Sequence, residues 1–129
     1  MPRLKPLHEA YKREIGEDAP TDADFERLAE AVDGGRIHFY GCVEDGALVG
    51  CCSITPAWST FHYGPAGIFE DFYILPEYRH RGVARNLVQF AAARSGVASL
   101  TVGCADCDVE MYKALGFRAR LGNLLAYDI

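Results

Sequence analysis

Near the start of the chain apolar residues recur four apart at Leu7, Tyr11 and Ile15. That spacing puts them on one helix face, with Pro6 suited to the first turn and Gly16 to a left-handed stop. A second stripe, Phe25, Leu28, Ala29 and Val32, follows Thr21, a residue able to cap a helix, and ends at Gly34-Gly35. From Arg36 the pattern turns to strands. IHFYGCVE and ALVGCCSIT flank Asp45-Gly46, a strong hairpin signal, and both faces of these strands read as largely buried. PAWSTFHYGPAG, with two prolines and two glycines, reads as a loop that can shape a pocket. GIFEDFYIL predicts a third strand, stopped by Pro76. EYRHRGVA opens a helix whose Val83, Leu87, Val88 and Ala91 face inward and which stops at Gly96. ASLTV predicts a short strand, Asp106 a cap and VEMYKAL a helix stopped by Gly116. FRAR and LLAYDI then predict a final hairpin around Leu121-Gly122-Asn123.

This order implies a mixed sheet with helices packed on it, an α+β (mixed α/β) fold. At 129 residues the chain fits a single domain over 1–129 with its own core. Half of the residues are apolar and 24% are charged, the balance of a globular protein. No stretch nears the roughly 20 apolar residues of a membrane span, and MPRLKPLHEAYKRE lacks the apolar centre of a secretion signal. The expected location is cytoplasmic, without membrane association. A net charge of -5 argues against a nucleic-acid partner, which wants a basic surface, and tolerates a cationic substrate. Cys51 and Cys52 lie inside an apolar run and read as buried free thiols. Cys104-Ala-Asp-Cys107 lacks the second pair that a closed zinc site needs, so no metal is expected.

One segment carries a readable chemistry. Arg79-x-x-Gly82-x-Ala84 stands between a strand and a helix, where the first-turn amides, Arg81 to Ala84, have no carbonyl partners within the helix and can donate to an anion. Gly82 lets a ligand approach the backbone, and Ala84 keeps the approach clear with a single methyl. Arg79, Arg81 and Arg85 reverse the sign of an otherwise acidic protein.

EDFYILPEYRHRGVARNLV and, some thirty residues on, VEMYKALGF closely resemble the two signature segments of the GNAT superfamily of N-acetyltransferases. The resemblance covers about residues 36 to 128. It implies that the loop Arg79, His80, Arg81, Gly82, Val83, Ala84 and Arg85 holds the pyrophosphate of acetyl-coenzyme A. It also implies that the strand Phe72, Tyr73 and Ile74 pairs with the pantetheine arm, in a V-shaped slot opened where two strands splay. Two departures stand out. The strand that usually precedes the first helix is absent, which leaves the strand at Arg36 at a sheet edge and room for a homodimer. The asparagine frequent at the start of the last helix is replaced by Ala105, Asp106 and Cys107.

Acetyl transfer to an amine needs a neutral nitrogen and a proton donor for the departing thiolate. By resemblance Tyr112 matches the tyrosine that protonates the sulfur, and Glu70 the glutamate that accepts the amine's proton. Strand alternation puts Glu70 beside Ile68 and Phe72, with Asp71 on the opposite face. His38, His62 and Tyr73 are reserve candidates for proton relay. The implied function is direct N-acetylation of a primary amine, on a small molecule or a protein. The alternative is a non-catalytic acyl-coenzyme A binding or regulatory module.

Overall fold

The computed structural model describes residues 3–129. The chain runs α1 (Leu4–Glu14), α2 (Asp22–Asp33), β1 (His38–Glu44), β2 (Ala47–Ser59), β3 (Gly64–Ile74), a 3-10 turn at Pro76–Tyr78 and α3 (Val83–Ser95). β4 (Ser99–Val102), a second 3-10 turn at Asp106–Asp108 and α4 (Val109–Ala114) follow. The strands lie in the order β1-β2-β3-β4, the first three antiparallel and β4 parallel to β3. This is the expected mixed, mostly antiparallel sheet flanked by helices. Among the described residues no strand precedes α1, and β1 is a sheet edge.

Local chemistry accounts for the boundaries. The Thr21 hydroxyl accepts the Asp24 N–H at 3.1 Å and the Asp24 carboxylate accepts the Thr21 N–H at 2.9 Å, a closed capping box at the start of α2. Asp45 and Gly46 take positive φ angles of 49° and 78°, the twist that a two-residue hairpin turn between β1 and β2 requires. β2 is buried on both faces. Its Cys52 and Ile54 join Phe69 and Ile74 against Val83, Leu87, Val88 and Ala91 of α3, while Cys51 joins Tyr73 against Leu4 and Leu7 of α1.

Three expectations are corrected. PAWSTFHYGPAG is no open loop: β2 and β3 pair through it from Pro56↔Gly67 to Ser59↔Gly64. β1 stops pairing at Ile54, so Pro56 meets no neighbour on that side that its missing N–H could serve. The final hairpin does not form. Residues 117–129 hold no strand, and Leu121, Leu124, Leu125, Tyr127 and Ile129 are exposed. β4 offers an edge of only four residues, and a hairpin without a long partner edge is marginal. Asp106 makes no side-chain cap, and α4 is entered through the second 3-10 turn instead.

Candidate active site

The parallel pairing of β3 with β4 covers Ala66↔Ser99 to Phe69↔Val102 and then ends. β3 continues to Ile74, so Glu70–Ile74 have no strand neighbour on that side. This open edge lies where the resemblance implies a splayed slot. Phe72, Tyr73 and Ile74 lie along it, with Tyr73 and Ile74 buried by their side chains while the backbone edge stays open.

A bulge sits at the Glu70 end of that edge. Cys51 is opposite Tyr73 but Ser53 is opposite Glu70, so Cys52 alone faces Asp71 and Phe72, and Asp71 takes a φ of 51°. The extra residue resets the alternation. Phe69 and Phe72 share the α3 side, whereas Asp71 turns to Ser53 on the α1 side, which Glu70 also faces. The expected separation of Glu70 from Asp71, and the expected grouping of Glu70 with Phe72, are both overturned. The Ser53 hydroxyl, in a fully buried residue, donates to Asp71 Oδ2 at 2.6 Å. Glu70 is exposed, and its side chain makes no hydrogen bond or ion pair among the described residues.

α1 lies over this bulge. Its His8 packs edge-on against Phe25 and Phe39, with ring centroids 5.8 and 6.3 Å away, and its Nδ1 is buried without a hydrogen-bond partner. Burial lowers the His8 pKa despite the opposing pull of Asp71. Burial raises that of Tyr11, helped by the negative charges of Asp71 and Glu70. In the sequence Tyr11 reads as part of a helix face and Asp71 as lying opposite Glu70, and neither of them nor His8 is named there as a site residue. The i, i+3 spacing of His8 and Tyr11 on one helix face was the available signal for two of them. His38 is exposed at the start of β1, two strands away from the slot. His62 is exposed in the turn after β2, about 20 Å along β3 from the bulge.

At the other end of the open edge, the loop 79–82 leads into α3. His80 and Gly82 are both left-handed, with φ angles of 63° and 80°. The first helical bond runs from Asn86 N–H to Gly82 O at 3.1 Å, and the N–H groups of residues 80–85 donate to no backbone carbonyl among the described residues. A Cβ placed on Gly82 would meet nothing within 4 Å, so the space above the loop is clear of protein. Val83 is buried and anchors the helix start, and Ala84 packs against the core. His80 is exposed.

The expected convergence of arginines on this space is not what the side chains do. Arg79 Nε donates to Ile74 O and its Nη2 to Glu14 Oε1, each at 2.8 Å, with the guanidinium 5.4 Å from the centre of the Tyr73 ring. Arg85 Nη2 donates to Ala114 O at 3.1 Å, at the end of α4. Arg81 stacks over Tyr78 at 5.4 Å. The donors left for an anion are mainly those of the backbone, and they suit a diphosphate.

Tyr112 of α4 packs among Phe69, Phe72 and Phe117, with centroids 6.5, 6.2 and 5.8 Å away. Burial pushes its phenol up to about 12, with smaller contributions from Tyr11, Asp108 and Cys104. The phenol is therefore protonated and able to donate at neutral pH. Cys51 and Cys52 are buried, with pKa values of about 12, while Cys104 and Cys107 are exposed. No helix is long and apolar enough to cross a membrane, among the described residues.

Comparison with known proteins agrees with this fold. Glucosamine-6-phosphate N-acetyltransferase from Arabidopsis thaliana superposes with a TM-score of 0.75 at 18% identity, covering 97% of this chain and 90% of that one. AAC(6')-Iy in complex with the bisubstrate analog CoA-S-monomethyl-acetylneamine gives 0.75 at 18%, covering 98% and 91%. A GCN5-related N-acetyltransferase from Ralstonia eutropha JMP134 gives 0.76 at 20%, covering 98% and 90%. In sequence, the probable aldehyde oxidase gad-3 of Caenorhabditis elegans is 29% identical over 107 residues. That match takes in 78% of this chain and 8% of that protein, so the chain spans under a tenth of the length of this curated relative. Residues 35–119 match the sequence family described as the acetyltransferase (GNAT) domain, and the chain belongs to that family.

Proposed function

We propose that this GNAT domain transfers an acetyl group from acetyl-coenzyme A directly to a primary amine, of a small molecule or a protein. The observation that carries this reading is the run of unpaired N–H groups at residues 80–85, at one end of a strand edge that β4 leaves open. Structural neighbours include an enzyme named for glucosamine-6-phosphate and one solved with a bisubstrate analog that carries acetylneamine, which supports an amine acceptor. When bound, acetyl-coenzyme A supplies an acyl thioester. The loop 79–82 and the first turn of α3 receive the diphosphate, and the backbone of Phe72–Ile74 receives the pantetheine arm. A free N–H near Tyr73 or Ile74 meets the carbonyl oxygen and stabilises the charge that develops there.

The amine, with a pKa near 10 when free, must lose a proton before it attacks. Glu70 is the unengaged carboxylate at the bulge, whereas Asp71 already accepts from Ser53. Glu70 takes the proton, directly or through water, and Asp71 adds negative charge that attracts the ammonium form. Tyr112 serves the sulfur. A phenol near 12 is a weaker acid than an ordinary thiol near 8.5, so its main contribution is a hydrogen bond to the developing thiolate.

The test is thiol release from acetyl-coenzyme A across a panel of primary amines. Turnover with at least one amine, lowered by Glu70→Gln, supports the reading; no turnover with any of them removes it. A second reading, binding without catalysis, is favoured by the aromatic packing around Tyr112, which is also how a plain core tyrosine sits. It predicts a coenzyme A-dependent rise in melting temperature with no amine consumed.

A further inference from the structure

We infer that Arg79 is a positioning residue, which ties the cofactor loop to α1 and to the end of β3 instead of gripping phosphate with its guanidinium. The inference rests on the proposed use of the loop for a coenzyme A diphosphate. Its basis is the set of partners that the side chain already has. Arg79 Nε donates to Ile74 O and Nη2 donates to Glu14 Oε1, both at 2.8 Å, and the guanidinium plane lies over Tyr73. These partners belong to three places: the last residue of β3, the last turn of α1 and the buried face between them.

The position of Ile74 O explains why a side chain is needed there. Leu75 N–H pairs with Val49 O on the β2 side, so alternation turns the Ile74 carbonyl to the other side, which β4 does not reach. A part-buried carbonyl with no strand partner takes another donor. Arg79 supplies it from five residues on, and in doing so folds the segment Pro76–Arg79 back against the sheet. The residues that follow, His80 and Gly82, then hold their left-handed conformations and leave the next N–H groups free. Glu14 extends the same tie to α1, the helix that carries His8, Tyr11 and Lys12 over the bulge. Cofactor grip at one end of the slot and placement of α1 at the other are thereby coupled.

The sign of one substitution separates the two roles. Removing the negative charge of Glu14 strengthens phosphate binding if Arg79 is a direct ligand, because the guanidinium is then released toward the anion. It weakens binding if Arg79 acts by holding the loop. The experiment measures coenzyme A binding by calorimetry at two salt concentrations for wild type, Glu14→Gln, Arg79→Met, Arg79→Lys and the double variant Glu14→Gln/Arg79→Met. Hydrogen exchange of residues 10–16 and 76–82 is followed without ligand.

The expected result is a Kd about threefold weaker for Glu14→Gln, the size of one half-exposed ion pair. Arg79→Met is weaker by about tenfold, with no rescue by lysine, which cannot reproduce the fork of donors. The double variant is no worse than Arg79→Met, and the salt dependence of Kd is unchanged. Exchange rises in both segments for Glu14→Gln, a surface change that leaves the fold intact. Tighter or equal binding by Glu14→Gln, or a salt dependence that drops in Arg79→Met, overturns the inference. If wild type binds no coenzyme A, the proposed function fails; linked exchange in the two segments then still supports the tie, and unlinked exchange removes it as well.

Discussion

The two ends of the open edge of β3 are chemically opposite. Beyond Ile74 the chain offers a run of unpaired N–H groups at the start of α3, while the bulge at Asp71 sets two adjacent carboxylates under α1. The donor end is built locally, by left-handed residues 80 and 82 and by the ordinary shortage of partners in a first helical turn. The acceptor end is built at long range, by the register of β2 against β3 and by a helix from the far end of the sequence. A site of this kind can hold an anionic carrier at one end and a cationic acceptor at the other, with the reacting atoms between them.

The most severe way to break this contrast is at the middle of the slot. Tyr112→Phe is expected to lower amine-dependent thiol release about 100-fold while leaving the Kd for coenzyme A within about twofold, a loss of the size of one hydrogen-bond donor to developing negative charge. Equal turnover would assign Tyr112 to packing alone. At the donor end, Gly82→Val forces a branched side chain into a left-handed φ of 80° and into clear space, and is expected to weaken coenzyme A binding about tenfold by calorimetry. At the acceptor end, Ser53→Ala removes the donor to Asp71 and is expected to lower stability by about 1 kcal/mol in urea unfolding. A loss of coenzyme A affinity in that variant would mean that the ends are not chemically separate.

The smallest effect concerns pH. The His8 pKa is lowered by burial, so the unfolded chain takes up its proton before the folded one does. Stability from this residue is therefore full above about pH 6.5 and erodes as the pH falls through the folded-state value. His8→Phe fits the aromatic surroundings of Phe25 and Phe39 and is expected to flatten the acid side of a melting-temperature profile between about pH 7 and 5, whereas an unchanged profile would place the loss elsewhere.

These two ends also differ in how far the sequence disclosed them. Arg79-x-x-Gly82-x-Ala84 was readable because a helix start after a strand leaves its own N–H groups free whatever surrounds it. Thr21, Gly16, Gly96 and the Asp45-Gly46 turn were readable for the same local reason. The bulge was not. Nothing in GIFEDFYIL marks Asp71 for a left-handed conformation, and period-two reading fails wherever one strand carries an extra residue. The partners of Arg79 were not legible for a related reason: charge and position suggested an anion, whereas the side chain donates to the Ile74 carbonyl and to Glu14, distant in sequence. Proline and glycine in PAWSTFHYGPAG suggested a loop, and cross-strand pairing overrode them. LLAYDI had the composition of a strand but no sheet edge long enough to receive it.

The uneven burial of the cysteines has a practical consequence. Thiols at Cys51 and Cys52 held near 12 carry almost no thiolate at neutral pH, and Cys42, half-buried, is raised as well. An alkylating dye added to the native chain will settle on Cys104 or Cys107, and the former is close enough to Tyr112 to influence its proton. The wild-type protein thus brings its own attachment point for a fluorescent reporter, and a label on Cys104 would sit within electrostatic reach of Tyr112.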